Sequence, residues 1–250
     1  MSSQQNRLEI RVQSHHFEVT EITVPVATIL IDGEDLFSRS HSNGFVGFDP
    51  DEILGPDQPL LPVEPARRVA VYQCSCGEPG CGVVAPVISG TDTEIRWTDF
   101  RDFTGEFNGP LSDDEPQEGR PLPIPEMIFD ATQYAQEVGR ATADRSWETP
   151  IRTTARFLKE MLKDQTDALA QLGLEIDWVF PAHRNTASVS VSFRDVGHRY
   201  VEKPRSRIVV TLSANPGAPR DRATEMLGIL LSKAPEQWMT AFSSDAPEPY

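Results

Sequence analysis

Between Asp102 and Glu126 the chain reads DFTGEFNGPLSDDEPQEGRPLPIPE. A stretch this rich in proline, glycine and carboxylates buries little apolar surface, and each proline removes a backbone donor. It reads as a long acidic, Pro-rich surface loop or linker. Hydrophobic patterning changes across it, from alternation before to helical spacing after. The expected organisation is a β-rich acidic region over 1–101, the loop or linker over 102–126, an α+β region over 127–243 and a loose tail over 244–250.

In the first region LEIRV alternates Leu8, Ile10 and Val12 with charged residues, the period of a half-buried strand. Further strands are expected within 17–26, in VATILIDG, from Arg67 to Gln73, from Val83 to Ile88 and in IRWTDF. Asp49 followed by Pro50 marks a short helix start in FDPDEIL. In the second region Asp130 caps a helix carrying Tyr134, Val138 and Ala141. Thr149 and Pro150 begin another, whose stripe runs from Ile151 to Leu172 and stops at Gly173.

Three strands then follow, with Leu174, Ile176, Trp178 and Phe180 expected on one face of the first. A helix over about 219–233 closes the region. The fold class is α+β: a mostly antiparallel β N-terminal half with a cysteine-bearing hairpin, followed by two helices, a three-stranded antiparallel meander and a C-terminal helix.

All three cysteines lie in YQCSCGEPGCGVV. With strands on both sides they belong at a hairpin tip, where Pro79 and Gly80 suit the centre of a type II turn. A register that sets Cys76 opposite Cys81 puts Cys74 on the same face and brings the three sulfurs together. Three thiolates suit zinc, which takes four sulfur or nitrogen ligands. C-x-C-x4-C supplies only three, so a fourth must come from His15, His16, His41, His183, His198, a carboxylate, water or another subunit. A metal-free packed thiol cluster and a redox or catalytic thiol are the other readings.

The net charge of −15 is uneven: residues 1–126 hold 22 acidic and 8 basic side chains, and residues 127–250 hold 16 and 15. The acidic first half repels phosphate backbones, so no nucleic-acid partner is expected. No apolar run reaches the roughly 18 residues needed to span a bilayer, so no membrane association is expected. MSSQQNRLEIRVQ lacks a secretory pattern, which makes a cytoplasmic location with reduced thiols the expectation.

Against this acidity, FRDVGHRYVEKPRSR gathers basic residues in a strand connection, where Arg199, Lys203 and Arg205 form a candidate anion site. His15 and His16 fall on opposite faces of a strand and read as an exposed edge pair. Asp99, Asp102 and the 113–115 run lack the spacing of a calcium loop and read as solvated charge. Asp144, Arg145 and Glu148 suggest an ion-pair network around Trp147. Phosphate-binding, dinucleotide-binding and nucleophile-elbow motifs are absent from the sequence.

RRVAVYQCSCGEPGCGVVAP, followed by IRWTDF and then FDATQYAQEVGRATADRSWETP, resembles a family of uncharacterised bacterial proteins sharing a Tyr-x-Cys-x-Cys-Gly core and a DRSWE-like helix junction. The resemblance covers most of the chain. It implies a bacterial cytoplasmic protein and carries over no activity and no catalytic residue.

The leading expectation is therefore a non-enzymatic cytoplasmic binding or interaction protein with a structural, zinc-ready cysteine hairpin and an acidic half that faces a protein partner. The alternative is a metal- or thiol-dependent enzyme with its site at Cys74, Cys76 and Cys81. A third reading, an acidic inhibitor of a basic target, implies binding that weakens with salt.

Overall fold

The computed structural model describes residues 5–18, 21–35, 44–76, 80–107, 109–112, 116, 119–182, 187–196 and 207–242. Two compact units divide the chain, Met1–Trp147 and Glu148–Pro249.

The first unit is β-rich. Alternating apolar positions form β1 (Leu8–Phe17), which pairs antiparallel with β2 (Ile22–Ile31), and β3 (Glu34–Asp35) closes this small sheet. A larger sheet is built from β4 (Phe45–Val46), β5 (Arg67–Arg68), β6 (Tyr72–Cys74), β7 (Val83–Gly90), β8 (Glu94–Phe103), β9 (Arg120–Pro121) and β10 (Met127–Asp130). Its main path runs β10-β8-β7-β6-β4, with β5 also on β7 and β9 also on β8. Between β4 and β5 lies the short helix α1 (Pro50–Ile53), capped by Asp49 with Pro50 at its first position. The unit ends with α2 (Ala131–Ala143), where the Asp130 carboxylate accepts from the Gln133 N–H.

One core joins these elements. Leu8, Ile10 and Ile29 of the small sheet pack with Tyr72, Val84, Trp97, Phe129 and Tyr134. Within it the Trp97 indole N–H donates to the Tyr134 hydroxyl at 3.1 Å, which itself donates to the Leu60 carbonyl at 2.7 Å. Buried polar groups are thereby satisfied in series. Gly47 lets the two sheets meet: a Cβ there would collide with the Ala27 carbonyl oxygen.

Of the two expected readings of 102–126, a loop or a linker, its described residues form a loop of the first unit. Phe107 is buried, and Leu111, Leu122 and Ile124 pack onto the first core. Its backbone joins the sheet through β9 and through hydrogen bonds from Ala70 N–H to Pro110 O and Leu122 N–H to Phe100 O. Widely spaced apolar residues anchor it singly, which the average composition conceals. The unit boundary accordingly follows Trp147, and β10 and α2 belong with the first unit. Two members of the expected ion-pair network make ion pairs. Arg145 reaches Asp51 at 3.4 Å and lies over Trp147, while Glu148 pairs with Arg156 at 2.9 Å.

The second unit contains α3 (Pro150–Lys163), α4 (Thr166–Gln171), β11 (Leu174–Pro181), β12 (Ser188–Asp195), β13 (Arg207–Ser213), α5 (Pro219–Leu231), a 3-10 turn (Pro235–Gln237) and α6 (Trp238–Ala241). The strands form the expected antiparallel meander β11-β12-β13. Leu158, Leu162, Val191, Phe193, Val210, Met226 and Leu230 are buried in its core.

Two details differ from the sequence expectation. The single helix from Thr149 breaks at Asp164–Gln165 into α3 and α4, leaving Leu172 37% exposed. A register shift between Ile176 and Trp178 reverses the facing of β11. Val179 thus enters the core, and Trp178 and Phe180 lie opposite Ser192 and Ser190.

On α2, Glu137 accepts from the Ile10 backbone N–H at 2.7 Å and pairs with Arg140. Burial acts to raise its pKa, but the hydrogen bonds from Arg140 and Ile10 outweigh it and hold the carboxyl below the ordinary 4.5. A carboxyl depressed by folding contributes stability above its unfolded pKa and loses it as pH falls through the folded value. The urea-midpoint difference between wild type and Glu137→Gln is therefore expected to be full near neutrality and to shrink as pH drops through 4.5 and below. A difference that stays constant to pH 3 defeats this assignment.

Candidate metal centre

β6 places Tyr72 inward, fully buried, with its one hydroxyl proton shared between the Ile29 carbonyl at 2.7 Å and Asp35 Oδ1 at 3.0 Å. Burial, then the charge of Asp35, raises its pKa well above the phenolic value, so it is a neutral anchor. Two residues on, the same strand delivers Cys74.

The strand is held from both sides. Phe45 and Val46 of β4 pair with Cys74 and Gln73, and Tyr72 and Gln73 pair with Val84 and Val83 of β7. Beyond the ladder, Cys74 N–H donates to Gly82 O at 2.8 Å and Ser75 N–H to Gly44 O at 2.9 Å. The returning side is braced by Gly105 N–H on Gly80 O at 2.8 Å. Gly80 has φ +74°, a backbone conformation glycine adopts without steric cost. The turn's remaining residues, 77–79, lie outside the described set, and the proposed type II centre falls partly on them.

The ligand atoms of Cys74, Cys76 and Cys81 all lie within 4.8 Å of one another, and the three cysteines are free thiols. The convergence arises differently from the expected register. The ladder pairs Gln73 with Val83, which sets Cys74 beside Gly82 and is one residue out of step with a Cys76–Cys81 pair. Strand geometry ends at Cys74, and Ser75 and Cys76 already form a turn. That turn swings Cys76 back, so its N–H donates to Cys74 Sγ at 3.5 Å. A backbone donor on sulfur stabilises thiolate charge, a contact the sequence did not suggest.

Sulfur hydrogen bonds to Cys76 and then Cys74, with burial and their charge behind them, push the Cys81 thiol up to about 12. In the metal-free chain it therefore keeps its proton at neutral pH. A cation entering the group displaces that proton, so apparent affinity rises with pH.

No histidine or carboxylate joins the sulfur group among the described residues. His15 packs edge-on against Phe17 at 4.7 Å, and His16 reaches Thr23 and Glu21 on the other face of β1. His16 is exposed as the edge-pair reading expected, whereas His15 is half-buried. His41, His183 and His198 lie outside the described residues, as do Arg199, Lys203 and Arg205 of the candidate anion site and the 113–115 acidic run.

Asp99 is held by Arg68 and Arg101, and Asp102 by Arg120 at 2.8 Å. Those carboxylates serve ion pairs, and Arg68 points to Asp99 and the Ala85 carbonyl. No helix among the described residues is long and apolar enough to cross a membrane. No family model, curated protein or solved structure matches the chain.

Proposed function

We propose that the chain binds one zinc ion through Cys74, Cys76 and Cys81, that the ion is structural, and that the protein works by binding a protein partner. The observation behind this reading is the three-sulfur group itself, within 4.8 Å and pinned at both ends of its turn by backbone hydrogen bonds. Zinc–sulfur bonds of about 2.3 Å in a tetrahedron separate two sulfurs by roughly 3.8 Å. Closing from the present spacing takes side-chain rotation of about an ångström. Three free thiols suit a reducing compartment such as the cytoplasm. The excess of 22 acidic over 8 basic side chains in residues 1–126 supports a partner of basic character.

Exposure of Cys81 supports a second reading, in which the fourth position takes water and the ion is catalytic. Metal analysis by mass spectrometry, on protein purified without chelator or affinity-tag metal, tests the first. About one zinc per chain is expected, falling to a small fraction in Cys81→Ser because two thiolates hold zinc poorly. Metal-free protein with three titratable thiols removes the proposal. X-ray absorption on the zinc form then separates a fourth protein ligand from a water oxygen.

A further inference from the structure

The three sulfurs at the tip of the β6–β7 hairpin are not equivalent. Cys74 ends β6 and is held on both sides, paired with Phe45 of β4 and donating its N–H to the Gly82 carbonyl at 2.8 Å. Its sulfur also accepts the Cys76 N–H at 3.5 Å. Cys76 lies beyond the strand, in the turn that begins at Ser75. Cys81 follows Gly80, whose φ is +74°, and is the exposed member of the three. The Cys81 thiol hydrogen-bonds most strongly to the Cys76 sulfur and then to that of Cys74.

A disulfide needs sulfurs about 2.05 Å apart on Cβ atoms roughly 3.5–4.5 Å apart. The three sulfurs already lie within 4.8 Å of one another, so side-chain rotation and a small shift of the turn bring two of them together. The three possible pairs differ in what they disturb. Cys74 with Cys76 closes a tight ring across the single residue Ser75. Cys74 with Cys81 pulls on a residue fixed in the ladder. Cys76 with Cys81 joins two residues that both lie outside regular strand, across a turn with glycine at 77 and 80.

We propose that Cys76 and Cys81 are a reversible redox pair, joined as a disulfide by a hydroperoxide while Cys74 stays a thiol. In the first step the Cys76 thiolate attacks the peroxide O–O bond, giving Cys76 sulfenic acid and hydroxide. In the second the Cys81 sulfur attacks the Cys76 sulfur and the S–O bond breaks. The Cys81 proton leaves with the departing hydroxyl as water, and the first hydroxide takes up the proton that Cys76 had lost. Two thiols and one peroxide thus yield one disulfide and two waters. The Cys81 S–H already lies against the Cys76 sulfur, so the resolving thiol and its proton wait where the sulfenic acid forms. Capture there stops the sulfur short of the irreversible sulfinic step. A dithiol reductant reverses the reaction by exchange. One consequence rests on the zinc reading: the disulfide withdraws two of the three ligands, so oxidation expels the ion.

The metal-free full chain, treated with a slight excess of hydrogen peroxide and then alkylated, tests the pair by mass spectrometry. Before alkylation the intact mass is expected to fall by about 2 Da, the two hydrogens lost in forming one disulfide. Peptide mapping should find Cys76 bridged to Cys81 and Cys74 alkylated, and dithiothreitol should return all three thiols. Cys74→Ser should form the same bridge. Cys81→Ser lacks the resolving thiol and should move on to sulfinic acid, about 32 Da heavier. Three surviving thiols, a bridge that includes Cys74, or sulfinic acid in the wild type overturns the proposal, and the wild-type map decides even where a variant misfolds. The zinc-loaded chain, beside an untreated control, should release about one zinc to a chromogenic chelator as the bridge forms. A chain that takes up no zinc yet forms the bridge defeats the zinc reading and upholds the redox pair. A loaded chain that keeps its thiols and its ion under peroxide defeats the redox pair alone.

Discussion

Trp97→Ala is expected to cost the first unit about 3–5 kcal/mol, the range for removing a large aromatic from a core that cannot collapse around the void. Trp97 is fully buried and packs against Phe100, Phe129 and Tyr134, with ring centroids 5.6 to 6.4 Å away. Those neighbours come from β8, β10 and α2, so no single element can shift to fill the space. The variant also strips the Tyr134 hydroxyl of its donor. Trp97→Phe keeps most of the volume and should cost about 1–3 kcal/mol, much of it from the lost indole N–H. Urea titration followed by circular dichroism measures both. A loss below 1 kcal/mol for the alanine variant would contradict the packing described.

The second large effect concerns the metal. A ligand that binds only the folded state stabilises it by about 4 kcal/mol when its free concentration is a thousandfold above Kd. In a chain of this size each kcal/mol moves the melting temperature by about 2–4 °C, so saturating zinc should raise it by roughly 10 °C over the chelated protein. The gain should vanish in Cys81→Ser. Because Tyr72, Val83 and Val84 anchor the hairpin in the core, the chelated protein should remain folded at room temperature. Scanning calorimetry with zinc, with chelator and in the variant reads all three. Equal melting temperatures with and without zinc would show that the ion does not hold the fold.

Much of the architecture was legible because its signals are local. Asp49, Asp130 and Thr149 each accept from a backbone N–H in the first turn of the helix they precede. Alternation in LEIRV falls within strand β1, and the three strands expected after Gly173 form the antiparallel meander. The three cysteines were expected to converge, and their sulfurs do, although the register behind that expectation was one residue out. Crowding all three into eight residues leaves few ways to keep them apart.

What the sequence by itself determined is therefore the α+β class, the starts of α1, α2 and α3 and the position of the sulfur group. Each depends on contacts within a few residues, whose energies do not wait for the rest of the chain. Tertiary structure alone decided that 102–126 joins the first core, that β10 and α2 complete the first unit, that a register shift at Asp177 sends Val179 inward, and that side chains of α2 close the edge of β1 at Leu8 and Ile10. These outcomes compare surfaces far apart in sequence, Ile10 with Glu137 or Trp97 with Tyr134. Their free energy exists only once both partners are in place, and no short window of residues carries it.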